Sequence, residues 1–135
     1  MKYKFLEHTA DVKFQAFGEN IDEVFKNSVL ALKETICGNK KIKEIKKKVV
    51  KIAGKDMESL LYNFLEEILY LLDAENFITS KVKNLKINKF VLEAVLVGDD
   101  SRNYKFTNNV KAVTYNEMFI KKQKGNWISQ VVLDV

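Results

Sequence analysis

From residue 20 to Asn76 the apolar residues of this chain recur mainly at helical spacing, and from there to the end they alternate with polar ones. That change of period constrains the fold most, because a pattern of one kind does not fit an element of the other. Two helices are expected ahead of it. Ile21, Val24, Phe25, Val29, Leu32 and Ile36 form one apolar stripe; Asn20 opens it as N-cap, with Glu23 at the third helical position as a capping box, and Gly38 closes it. Met57, Leu60, Leu61, Phe64, Leu65, Ile68 and Leu72 form a broader stripe, opened by Asp56. Behind the change, alternation predicts strands at 79–88, 89–98, 109–121 and 126–134, with turns at Asn88-Lys89, Gly98-Asp99-Asp100 and Gly125-Asn126. Residues 3–6 and 11–17 read as two more strands, and the lysine-rich stretch 40–51 ends in a short one before Gly54. The expected fold is α+β: a mostly antiparallel or mixed β-sheet with two amphipathic helices packed on one face.

Nothing marks an internal boundary. The chain has no proline, no Gly/Ser-rich linker and no repeat, so residues 1–135 read as a single domain. With 47% apolar and 30% charged residues it has an ordinary globular balance, which excludes a disordered chain. The one cysteine, Cys37, lies in a helical apolar pattern, so neither a disulfide framework nor a thiolate zinc site can form, and a reducing compartment is expected. The longest strong apolar run, Phe90 to Val97, contains Glu93 and is far too short to cross a bilayer, while Met1-Lys2-Tyr3-Lys4 leads into a strand. A soluble cytoplasmic protein with no membrane partner is the expectation. The net charge of +5 favours an anionic partner.

The two ends carry matching acids. Glu7-His8-Thr9-Ala10-Asp11 stands near the start and Leu133-Asp134-Val135 at the finish, each beside a predicted strand. A sheet that sets the first and last strands side by side would gather Asp11, Asp134 and the free terminal carboxylate. At an effective dielectric of ~20, two negative charges ~4 Å apart repel by ~4 kcal/mol, so a metal, a basic side chain or a proton must offset them. The donors are hard oxygens, which points to Ca²⁺ or Mg²⁺ and away from zinc or copper. An aspartate at a strand start is also a common turn residue, and both readings stand on spacing alone.

Other candidates are weaker. His8 could be a ligand, a base or an orienting group, although a lone loop histidine more often makes a structural hydrogen bond. Lys111 lies on a strand near the last one, within reach of the carboxylates or of a phosphate. Arg102 sits in a loop, Asp99 to Tyr104, that mixes acids, a guanidinium and a phenol where partner contacts concentrate. The seven lysines between Lys40 and Lys51 read as a solvated face; an RNA-binding module is the alternative, although no aromatic residue stands among them to stack on bases. Gly54-Lys55 lacks the preceding glycine of a phosphate-cradling loop, and no serine or cysteine elbow is present, so covalent chemistry is not expected.

Taken together, Phe5-Leu6-Glu7-His8-Thr9-Ala10-Asp11-Val12, the Ser59 to Asp73 helix, Val110-Lys111-Ala112-Val113-Thr114-Tyr115 and the terminal Val131-Val132-Leu133-Asp134-Val135 resemble the archease family, in order from end to end. The resemblance implies an accessory protein of tRNA splicing and not an enzyme. Its partner would be the RNA ligase that joins 3′-phosphate or 2′,3′-cyclic-phosphate ends to 5′-hydroxyl ends. It implies that the protein promotes guanylylation of that ligase from GTP and allows multiple turnover, with tRNA as an indirect partner. It further implies a divalent cation, calcium before magnesium or manganese, held by Asp11, Asp134 and Val135, with His8, Arg102 and Lys111 as contacts to ligase or phosphate. Two positions depart from the family pattern: Asn116 stands where histidine is usual, and Arg102-Asn103-Tyr104 where a basic residue precedes histidine.

Overall fold

The computed structural model describes all 135 residues. Along the chain run β1 (Tyr3–Leu6), β2 (Val12–Gly18), α1 (Ile21–Cys37), β3 (Lys46–Ala53), α2 (Met57–Glu75), β4 (Phe77–Asn88), β5 (Val91–Asp100), a 3₁₀ turn (Ser101–Asn103), β6 (Ala112–Gln123) and β7 (Asn126–Asp134).

Local chemistry explains the helix limits. Asn20 Oδ1 accepts the Glu23 N–H at 2.9 Å, and Gly38, at φ 67°, ends α1 by donating its N–H to the Glu34 carbonyl. The full capping box closes at the other helix: Asp56 Oδ1 accepts from Ser59 N–H at 2.7 Å, and Ser59 Oγ accepts from Asp56 N–H at 3.1 Å. Asn76 in the left-handed region ends α2, and β4 starts at once, two residues ahead of the expected 79.

All strand pairs are antiparallel, divided between a four-stranded sheet, β1-β2-β7-β6, and a three-stranded one, β3-β5-β4. The α+β class stands, with two sheets sharing the strands. α1 packs on β2 and β4, α2 on β6 and β4, so the helices join both sheets to one contiguous apolar core. Phe14, Val131 and Leu133 enter it from the larger sheet, Leu92, Ala94 and Leu96 from the smaller, and Phe25 stacks on Phe64 between the helices at 6.3 Å.

Two-residue turns with positive φ at both positions, Lys89-Phe90 and Lys124-Gly125, close the β4–β5 and β6–β7 hairpins. Gly98 is no turn residue. It lies inside β5 where β4 crosses so closely that a Cβ on Gly98 would sit 1.9 Å from the Ile78 carbonyl oxygen.

Candidate functional site

The β2–β7 pairing sets Val12 opposite Leu133, and one step further along this register come Asp11 and Asp134. The neighbour of the last strand is thus β2, and β1 forms the outer edge. On the other side of β7, Ala112 faces Asp134, and the Lys111 N–H donates to the Asp134 carbonyl at 2.7 Å. Asp11, Asp134 and Val135 are all partly exposed, so the strand ends that carry them are open to a ligand. No three His, Cys, Asp or Glu side chains converge as a ready metal cluster, so a cation here would draw on main-chain oxygen as well as on the two carboxylates.

His8 is tied to the far side of the sheet. Its Nε2 lies 2.9 Å from Glu117 Oε2, and the other Glu117 oxygen accepts from Lys13 Nζ at 3.4 Å. The His8 Nδ1 is buried with no hydrogen-bond partner, 3.9 Å from Asp11 Oδ2. Glu117 reaches this place because β6 bulges. Thr114 pairs with Val132 and Phe119 with Gln130, so Tyr115, Asn116, Glu117 and Met118 stand against Val131 alone. α2 holds the bulge from beneath: Tyr62 stacks on Tyr115 at 4.1 Å, and Glu66 accepts the Val113 N–H at 3.0 Å. The hydrogen bond from His8, then the one from Lys13, keeps the Glu117 carboxyl below its ordinary range. Sequence reasoning missed Glu117. The available signal was the polar pair Asn116-Glu117 interrupting an alternating strand.

Asp11 also borders an open cleft of about 400 Å³ at the C-terminal end of α1, lined by Leu6, Glu34, Thr35, Asn39 and Asn108 among others. A helix C-terminus carries partial negative charge, and the last turn of α1 holds no basic residue to neutralise it. Tyr3 donates to Glu34 at 2.7 Å; burial, then this carboxylate, pushes the phenol up to about 12.

Arg102 and Lys111 are placed differently from each other. Arg102 grips Asp100 through Nε at 3.0 Å and Nη2 at 2.7 Å, holding that carboxyl well below its usual range, while its own side chain stays 71% exposed. Beside it Asp99, 4% exposed, accepts the Tyr104 hydroxyl at 2.7 Å, so the loop is cross-linked from within. No hydrogen bond or ion pair joins Arg102 to Asp11 or Asp134. Lys111 meets Asp134 only through its main chain; its side chain is exposed and forms no ion pair.

The donors fit a hard divalent cation. Two carboxylates and main-chain oxygen supply oxygen ligands, and Cys37, the only thiol, is buried in α1. The buried His8 Nδ1, which has no hydrogen-bond partner, lies 3.9 Å from one of these carboxylates.

The model of the Archease protein family (MTH1598/TM1083) matches residues 3–135. The chain belongs to the archease family. A protein archease of Methanosarcina mazei is 36% identical over 140 residues, covering 99% of this chain and 96% of the relative. That of Pyrococcus furiosus is also 36% identical, covering 99% of each. Among solved structures, Methanobacterium thermoautotrophicum protein 1598 is similar at a TM-score of 0.85 and 32% identity, covering 99% of both chains. A Thermotoga maritima protein described as an archease, possible chaperone, shares the fold at a TM-score of 0.66 and 17% identity, covering 98% of this chain and 96% of its own. Within this archease, the Asn116 that departs from the family pattern lies in the β6 bulge, and its neighbour Glu117 makes the contact with His8.

Proposed function

We propose that this chain is an accessory protein, not itself an enzyme, that activates the cytoplasmic RNA ligase of tRNA splicing. The ligase would join 3′-phosphate or 2′,3′-cyclic-phosphate ends to 5′-hydroxyl ends, and this protein would promote its guanylylation and repeated turnover. The observation that carries the reading is the β2–β7 register, which draws Asp11 and Asp134 from opposite ends of the chain to one open strand end. Membership of the archease family supports it.

In this reading Asp11, Asp134 and a main-chain oxygen of Val135 hold a divalent cation, calcium before magnesium or manganese. When bound, such an ion neutralises phosphate oxygens and so suits a surface offered to the GTP pocket of the ligase. The two aspartates are holders of charge and not bases. His8 steadies the loop that carries Asp11. The exposed side chains of Lys111 and Arg102 are contacts for ligase or phosphate.

Asp11→Ala and Asp134→Ala each remove one carboxylate from a partly exposed position, so both variants keep the thermal midpoint of the parent. Both lose stimulation of ligase guanylylation in a time course with ligase, GTP and calcium. Full stimulation by both would overturn the reading.

A second reading, direct RNA binding, has one observation in its favour. The β3–β5–β4 register puts Lys47, Lys51, Lys81, Lys83 and Lys86 on one outward face, where Glu44 and Glu93 are the acids paired with them. Binding through such a face falls steeply with salt. Filter binding of tRNA at rising salt tests it, and no retention at low salt removes it.

A further inference from the structure

We propose that Glu117 is a positioning residue: through its bonds to His8 and Lys13 it fixes the Glu7 to Asp11 loop so that the Asp11 carboxylate faces Asp134. This inference rests on the cation-binding reading above.

The loop has little else to hold it. No main-chain hydrogen bond outside the helices and strands involves residues 7 to 11, and Ala10 adopts φ 69°, a left-handed conformation that costs a non-glycine residue on the order of 1 kcal/mol. A strained, unlaced loop keeps one shape only when its surroundings impose it. The imposing contacts are side-chain ones, and they converge on a single carboxylate: His8 Nε2 at 2.9 Å from inside the loop and Lys13 Nζ at 3.4 Å from the strand that follows. Both partners are well covered, with side-chain exposures of 17% and 16%.

The main chain of Glu117 is itself fixed, while its side chain stays 47% exposed. It sits at φ 55° in the bulge, and its carbonyl accepts Gln130 Nε2 at 2.8 Å, while Gln130 Oε1 accepts from Gln15 at 2.9 Å. The chain of contacts therefore runs from the ladder through the bulge to His8 and on to Asp11. It also sets the imidazole. With Nε2 held at Glu117, the ring presents Nδ1 to the Asp11 side, 3.9 Å from Oδ2.

Glu117→Gln and Glu117→Ala separate position from charge. The glutamine keeps one oxygen to accept from His8 but loses the negative charge and the acceptor for Lys13; the alanine loses all three. Calcium titration by calorimetry should give Glu117→Gln an affinity close to the parent and Glu117→Ala a loss of roughly tenfold or more, the scale seen for residues that orient ligands. Long-range ¹H–¹⁵N spectra of the imidazole should give His8 closely similar nitrogen shifts in the parent and in Glu117→Gln, and displaced shifts in Glu117→Ala. Equal weakening in both variants would assign the effect to charge and overturn positioning, as would parental affinity in Glu117→Ala or an unchanged His8 spectrum. A parent that binds no calcium overturns the cation reading itself, and this one with it. Binding by the parent with an unaffected alanine variant overturns the positioning role alone.

Discussion

Several side chains of this archease have ionisation shifted by named neighbours, and that gives its stability a defined dependence on pH. Asp56, Asp99 and Asp100 are held below the ordinary carboxylate range by the Ser59 N–H, the Tyr104 hydroxyl and the Arg102 guanidinium in turn, and Glu117 by His8. A carboxylate depressed in the folded state stabilises it at any pH above the unfolded value, and the benefit disappears as pH falls through the folded value. The urea midpoint should therefore hold between pH 7 and 5 and fall steadily below about pH 4, the unfolded carboxylate range. Tyr3 works in the opposite sense. Burial and Glu34 raise it to about 12, so its contribution is complete below the ordinary tyrosine value near 10 and is lost as pH rises toward 12. In Tyr3→Phe the ultraviolet phenolate titration should lose its latest-titrating component, and the alkaline decline in stability between pH 10 and 12 should flatten.

Among the elements, the β4–β5 pair is the most tightly constrained. At Gly98 the β4 backbone leaves no room for a methyl group, since the Ile78 carbonyl oxygen would lie 1.9 Å from it and cannot turn away without breaking the ladder. Gly98→Ala should cost about 3 kcal/mol, the upper range for overpacking, read as a lowered urea midpoint at unchanged slope. Gly125→Ala has open space around it and pays only for its φ of 81°, so it should cost less. These elements also mark how far the sequence alone could be read. Asn20, Asp56 and Gly38 announce the helix ends because capping depends on residues three or four apart. The alternating runs announce the strands for the same local reason. The break at Tyr115 to Met118, the division into two sheets and the use of Gly98 inside a strand depend on what lies opposite, which no local pattern carries. The site divides in the same way. Asp11 and Asp134 were legible as acids beside terminal strands, whereas the link between His8 and Glu117 spans 109 residues and follows from a bulge in β6.

Across the whole molecule, the paired aspartates and the densest lysine face lie on different sheets. Asp11 and Asp134 belong to the four-stranded sheet, with Glu34 and the negative end of α1 bordering the same cleft as Asp11. Lys47, Lys51 and Lys86 stand on the outward face of the three-stranded sheet, with the core and both helices between the sheets. At physiological ionic strength, fields between exposed charges fade over about 8 Å, so the two regions should respond to substitution independently. A Lys47→Gln, Lys51→Gln, Lys86→Gln triple variant replaces exposed side chains that enter no core contact, and its fold and thermal midpoint should match the parent. Its calcium affinity should also stay within about twofold, while any tRNA retention should weaken and lose part of its salt slope. Calorimetry and filter binding on one preparation check both halves. A large fall in calcium affinity would mean that the lysine face and the acidic strand end act as one field. The proposed division between a cation-holding end and a polyanion-facing sheet would then have to be abandoned.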